Sequence, residues 1–332
     1  MNQLTSTVVS LDWNENPLGP SPSAVARVRE AASAMHRYPR GLLEQVSDQI
    51  AEYLGVASGE LLLTAGVDEA VDLVLSLATH AYVVSPGFDG YLARAQAVWP
   101  VPVTALALDD HWQPSAIPHT RATGSVGLLA QPNNPTGNMF RRSWIDEFRL
   151  GVERLMLDAT YAEFCPSSRY LYQARHPGTF IFRSFSKAFG LAGMRLGCLV
   201  GEASEIRVLA ERRRFQPVDT FSLHALSGTL SDAAHIERSV AATREAAANL
   251  ARILERSSLF DRVVTTEAGF IIGETRGVAC EALVGELGAR GVRVRNCASL
   301  GLPGWIRVSG GTVADQSRLE AALAQLAEGV TV

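Results

Sequence analysis

Cysteine is scarce in this chain. Its four copies, Cys165, Cys198, Cys280 and Cys297, lie far apart and never form a Cys-x-x-Cys pair. Neither a zinc site of that spacing nor a disulfide framework is expected, and buried free thiols are the default. Long apolar runs are missing as well, since no stretch reaches the roughly 20 residues of a membrane helix. The start, Met1-Asn-Gln-Leu-Thr-Ser-Thr7, has no basic segment followed by an apolar core, so the sequence predicts a cytosolic protein. An excess of positive charge is also lacking. With 30 Lys and Arg against 34 Asp and Glu the formal net charge is −4, which argues against nucleic acid as a partner. The one dense basic run, Arg212-Arg213-Arg214, reads as the solvated face of a helix over 203–214. No internal repeat, low-complexity tract or long Gly/Ser linker is present.

What the chain does have is apolar material: 47% of its 332 residues are hydrophobic and 19% charged. That suits one large α/β domain with a smaller companion. Short apolar runs at 61–64, 81–84, 126–130, 153–158, 179–182 and 196–200 each lead into polar or glycine-rich turns and, in most cases, helical patterns. This alternation predicts a doubly wound, mostly parallel sheet with sites at strand ends. A single long helix is predicted at about 223–257 as the join between domains. Beyond it, strands at 263–265, 270–273, 292–295 and 305–308 alternate with helices 279–289 and 313–328, a compact α+β unit. The predicted divisions are an N-terminal arm over 1–30, a large domain over 31–235 and a small domain over 236–332.

The chemistry centres on Phe182-Arg-Ser-Phe-Ser-Lys-Ala-Phe-Gly-Leu-Ala-Gly-Met-Arg-Leu-Gly197. A lysine becomes a nucleophile toward carbonyls when desolvation or a nearby cation lowers its pKa. Lys187 is therefore a candidate Schiff-base lysine; the bland alternative is a solvated surface lysine. The hydroxyls of Ser184 and Ser186 and the guanidinium of Arg195 are what a phosphate dianion needs nearby. One short segment supplies all of these together.

The pattern Ser-x-Ser-Lys-x-x-Gly-Leu-Ala-Gly-x-Arg-x-Gly resembles the cofactor-lysine segment of the class I/II, fold type I aminotransferases that use pyridoxal 5'-phosphate (PLP), most closely the histidinol-phosphate aminotransferase branch. The resemblance runs in order along nearly the whole chain. By it, Lys187 binds the PLP aldehyde, and Ser184, Ser186 and Arg195 hold the cofactor phosphate. The turn Ala65-Gly-Val-Asp-Glu69 opens an apolar helix that continues through Ala78. Backbone N–H groups of Gly66 and Val67 there suit an anion, although Asp68 and Glu69 also satisfy a helix start. Phe88, two residues after Pro86, takes the place of the aromatic ring against the pyridine face. Asn134, in Gln131-Pro-Asn-Asn-Pro-Thr-Gly137, would bond the phenolic oxygen together with Tyr161. Asp158 closes an apolar strand and would keep the pyridine nitrogen protonated. The family pattern Asp-Glu-Ala-Tyr is Asp-Ala-Thr-Tyr here. Tyr38, in His36-Arg-Tyr-Pro39, would reach the neighbouring site of a homodimer.

For the substrate end, the arm Leu11-Asp-Trp-Asn-Glu-Asn-Pro-Leu-Gly-Pro-Ser-Pro22 is similar to the family's arm across the site mouth. It places Asn16 at the substrate; on composition alone it is a flexible, turn-rich terminus. Arg307, in Trp305-Ile-Arg-Val-Ser-Gly-Gly-Thr312, would grip an α-carboxylate as a bidentate fork. Arg295 matches a position able to hold a substrate phosphate, with Arg293 on the same side by alternation. Asp219 stands where relatives carry an asparagine and, pointing inward, would disfavour that phosphate. The expected activity is amino transfer between an amino acid or a histidinol-phosphate-like amino-alcohol phosphate and a 2-oxo acid. Two other readings remain at this point: decarboxylation of an amino-acid phosphate, as in the similar threonine-phosphate decarboxylases, and a PLP-binding sensor domain.

Overall fold

A computed structural model of the chain describes residues 8–118, 121–169 and 176–330. The Met1–Thr7 start, on which the leader reading rests, lies outside the described residues. Seven strands form the main sheet: β2 (Leu61–Thr64), β3 (His80–Ser85), β4 (Val103–Ala107), β5 (Ser125–Ala130), β6 (Arg154–Asp158), β7 (Thr179–Ser184) and β8 (Gly197–Val200). Their spatial order is β2-β8-β7-β6-β5-β3-β4. The four neighbouring pairs from β7 to β4 are parallel, while β8 runs antiparallel to both β7 and β2.

β2, β5, β7 and β8 are buried at every residue, as a sheet covered on both faces requires. Ile181 and Leu63 pack into one core with Phe185 and Phe189, and Phe180, Phe182 and Leu62 into another with Val71 and Tyr91. Strand order reverses between β3 and β5, and the crevice outside the carboxyl ends at such a switch is where α/β sheets bind ligands. The turns carrying Phe88, Asn134, Asp158 and Ser184 all open there. All four cysteines are buried free thiols, and burial pushes those of Cys198 and Cys297 up to about 12.

A four-stranded antiparallel sheet follows, ordered β12-β13-β10-β9, from β9 (Phe260–Thr265), β10 (Phe270–Thr275), β12 (Arg295–Asn296) and β13 (Trp305–Ser309). The predicted strand over 292–295 divides: β11 (Val292–Arg293) leaves this sheet to pair in parallel with β1 (Val9–Ser10) of the arm. Arg293 is exposed and pairs with Ser10, whereas Arg295 pairs with Arg307. The two arginines therefore do not share the face that simple alternation gave them. The pairing also ties down the arm, which is a stitched element and not a loose terminus: Leu11 N–H donates to the Arg293 carbonyl at 2.9 Å, and Ser309 N–H to that of Leu11 at 3.0 Å.

The long helix predicted at 223–257 is two helices, Thr220–Leu230 and Ala233–Glu255. Ser231 Oγ turns back on the Gly228 carbonyl at 2.8 Å. Asp232 caps the second helix by accepting from His235 N–H at 3.1 Å. Short polar side chains that compete for backbone groups break the run. The helix predicted over 203–214 ends at Ala210. The basic run lies beyond it in turns, where Arg213 donates to the Leu63 carbonyl at 2.9 Å. The helix expected through Ala78 stops at Leu75. Among the described residues, no helix is long and apolar enough to cross a membrane.

Candidate active site

The lysine loop leaves the carboxyl end of β7 and is fixed from below by two buried aromatics. Phe185 and Phe189 meet edge to face with centroids 4.9 Å apart. The backbone between them is held by polar partners: the carbonyls of Lys187 and Ala188 accept from Asn16 Nδ2 at 2.9 and 3.3 Å. Ser239 Oγ donates to the Ala188 carbonyl at 2.5 Å. Asn16 Oδ1 accepts from Leu18 N–H at 2.9 Å, so the amide expected at the substrate is occupied on both sides. We assign Asn16 to anchoring the arm on the lysine loop.

Lys187 Nζ donates to the Trp13 carbonyl at 2.8 Å. Burial, reinforced by the guanidinium of Arg307, lowers its pKa to about 8, with Glu15 pulling the other way. The ammonium is thus less favoured than in an ordinary lysine, and the free amine that attacks an aldehyde is a larger minor fraction near neutral pH. The rate at which cofactor-free protein takes up PLP, followed by visible absorbance, should rise with pH and level off above about 8. A profile still climbing toward the ordinary lysine range would contradict this.

Asp158 ends β6 fully buried between donors. Tyr91 O–H donates to Oδ2 at 2.6 Å, and Thr160 donates to Oδ1 through N–H at 2.9 Å and Oγ1 at 2.6 Å. Burial raises its pKa, while these hydrogen bonds and the charge of Lys187 oppose the rise. Three donors on a buried carboxylate favour its ionised form against the cost of burial. Tyr91, on the helix Asp89–Ala97, had no assigned part in the sequence reading. Its hydroxyl pKa is driven far up by burial and by Asp158, so it remains a donor. Because a hydrogen bond to a charged group contributes about 1.5–3 kcal/mol, Tyr91→Phe should lower kcat about ten- to a hundredfold. It should also weaken PLP retention in equilibrium dialysis, and an unchanged kcat would remove Tyr91 from the site.

Tyr161 is buried, edge-on to Phe270 with centroids 5.4 Å apart, and its hydroxyl oxygen accepts from Asn14 Nδ2 at 2.8 Å. That leaves its own proton free to be donated. Burial raises its pKa and Arg307 counters. Arg307, buried on β13, donates Nη1 to Asn134 Oδ1 at 2.5 Å and Nη2 to the Asp12 carbonyl at 2.7 Å. Its Nε is buried without a partner, a donor left unsatisfied in the site.

The anion cradle lies at the other end of the cleft. Gly66 begins the helix Gly66–Leu75 at φ +78°, and a Cβ there would fall 3.0 Å from Arg195 Nη2. Arg195, itself left-handed at φ 52°, reaches Asp68 Oδ2 at 3.2 Å. Ser184 Oγ accepts from Ser186 N–H at 3.2 Å. Phe88 lies edge-on to Tyr91 with centroids 5.2 Å apart. Asp219 is exposed, caps the helix Thr220–Leu230 and accepts from Ser222 N–H at 2.9 Å. It is a helix cap and not an inward charge. Arg295 Nη2 is instead held by Asp89 Oδ2 at 3.0 Å and Ser299 Oγ at 3.1 Å. Tyr38 is 75% exposed. The residues present fit PLP: a weakly basic lysine, a carboxylate ringed by three donors, an asparagine and tyrosine pair, and a glycine-started helix beside an arginine for the phosphate.

The family model for aminotransferase class I and II matches residues 6–326. A histidinol-phosphate aminotransferase of Symbiobacterium thermophilum is 34% identical over 97% of this chain and 91% of its own length. One from Thiobacillus denitrificans is 32% identical over 96% and 85%. Among solved structures, a Burkholderia pseudomallei protein superposes with a TM-score of 0.87 at 32% identity, covering 96% of this chain and 98% of that one. The Sinorhizobium meliloti histidinol-phosphate aminotransferase, solved with PLP, shares the fold at TM-score 0.84 and 20% identity over 97% and 91%. The chain belongs to the class I and II aminotransferases and is a PLP-dependent aminotransferase of fold type I.

Proposed function

We propose that the chain moves an amino group between a small amino donor, either an amino acid or an amino-alcohol phosphate of the histidinol-phosphate kind, and a 2-oxo acid. The observation that carries this reading is Lys187, whose Nζ donates to the Trp13 carbonyl at 2.8 Å beside Tyr161 in one small cavity and whose basicity burial and Arg307 lower. Bound PLP supplies an electron-poor ring that stabilises negative charge at the substrate α-carbon. Asp158, whose charge Tyr91 and Thr160 favour by donating to it, would hold the proton on the ring nitrogen. Asn134 Nδ2 and the Tyr161 hydroxyl donate to the phenolic oxygen, since Asn134 Oδ1 already accepts from Arg307 and the Tyr161 oxygen from Asn14. Gly66, Val67, Ser184, Ser186 and Arg195 hold the phosphate, and Phe88 covers the ring face. Arg307, whose Nε–H lacks an acceptor, would take the substrate's anionic group. Lys187 would carry the proton to and from the α-carbon as general acid and base. The arm over Trp13 and Asn16 shields this amine from water.

The same reading includes a homodimer. Tyr38 and Met35, 75% and 67% exposed, support a surface from which Tyr38 reaches the neighbouring site's phosphate. It also includes a cytoplasmic setting, and a small domain that begins within the helix Ala233–Glu255. A donor screen tests it: each amino acid and histidinol phosphate is mixed with holoenzyme while the cofactor's visible band is followed to its amine form. Regeneration by a 2-oxo acid without CO2 release supports amino transfer. Stoichiometric CO2 from an amino-acid phosphate would replace this reading with decarboxylation, the activity named for a Porphyromonas gingivalis protein that shares only the fold, at 17% identity and TM-score 0.80.

A further inference from the structure

Arg307 and Arg295 are directly paired residues of β13 and β12, so their side chains leave the same sheet face side by side. They differ in what they hold. Arg307 donates to two neutral oxygens, of Asn134 and the Asp12 backbone, and keeps a buried Nε without a partner. Arg295 already has an acidic partner: Asp89 Oδ2 lies 3.0 Å from Nη2 in a partly exposed ion pair, and Asp89 directly follows Phe88 at the start of its helix. The carboxylate of Asp12 also acts on Arg307, and that of Glu15 on Lys187. Of the two guanidiniums, only that of Arg307 has no carboxylate oxygen hydrogen-bonded to it.

An α-carboxylate carries one negative charge and matches one guanidinium fork. A phosphate monoester carries about −1.5 to −2 at pH 7 and needs a second cation. Here the second cation is held by Asp89, whose own charge would then face the phosphate. Like charges set against each other reject a ligand even where the attractive group remains. We propose that Asp89, by occupying Arg295, selects donors that present an α-carboxylate at this place, ordinary α-amino acids, over amino-alcohol phosphates. The inference rests on the reading of Arg307 as the substrate-anion fork, and it sets this chain apart from what its relatives' names imply for them.

Two amine-free ligands isolate the anion from the chemistry: 3-(imidazol-4-yl)propionate and 3-(imidazol-4-yl)propyl phosphate, titrated calorimetrically into holoenzyme. The carboxylate should bind more tightly to the wild type. Asp89→Asn should move the affinity ratio about tenfold toward the phosphate. Adding Arg295→Gln restores the charge balance and should bring the ratio back to within about threefold of wild type. Donor turnover by L-histidine and L-histidinol phosphate should shift in the same sense. Tighter phosphate binding by the wild type, or a ratio that Asp89→Asn leaves alone, overturns the role of Asp89. Arg307→Ala separates that failure from failure of the underlying reading. If it leaves both affinities unchanged, the fork itself is misassigned and the selection falls with it.

Discussion

Replacing Lys187 by Ala is expected to lower kcat by at least about 10⁴-fold, because the substitution removes both the covalent tether for the cofactor and the proton carrier at the α-carbon. The residue is a connection and not a support. Phe185 and Phe189 fix its loop through their own burial, and Asn16 and Ser239 hold backbone carbonyls. Truncating the side chain should therefore leave the fold, and far-ultraviolet circular dichroism, unchanged. The visible band of lysine-bound PLP should disappear even where the cofactor still copurifies. If the variant keeps that band, another amine is the nucleophile and the assignment of the loop is wrong.

Asp158→Asn is expected to have the next largest effect, a loss of kcat on the order of 10³-fold from removing one fixed charge in a buried site. Asparagine has nearly the same shape, so packing at the end of β6 should survive. What goes is the negative charge, and with it the reason for the ring nitrogen of the cofactor to stay protonated. Tyr91 and Thr160 now donate to that charge, and in the variant they would meet a neutral amide. The cost of Tyr91→Phe should accordingly shrink or vanish in the Asp158→Asn background, since the two act through one hydrogen bond. Additive losses would mean that Tyr91 acts independently of Asp158.

Much of the site was legible because its key residues stand in short polar or glycine-rich turns after apolar runs. Lys187, Asp158, Asn134 and Arg307 are each recognisable from a few neighbours, and the alternation of strands with helices gave the main sheet. What escaped depends on contacts far apart in sequence or on local competition. Tyr91 lies 67 residues from Asp158 and reads as an ordinary apolar helix position. Asn14 reaches Tyr161 across 147 residues. The break at Ser231 and Asp232 was hidden by helical periodicity continuing on both sides, although Asp232 three residues before His235 is a cap spacing. The same rule was available at Asp219 and Ser222, where the carboxylate serves the helix and not the pocket. The acid beside Arg295 is Asp89, 206 residues away in the chain, a pairing that only the folded chain brings about.

The most direct test is chemical mapping of the cofactor attachment. Holoenzyme is reduced with borohydride, digested, and searched by mass spectrometry for the pyridoxyl group. The label should fall on Lys187 alone, at close to one per chain, and should be absent in Lys187→Ala. A label elsewhere in the chain would contradict the central claim that this half-buried amine near Asp158 holds the cofactor.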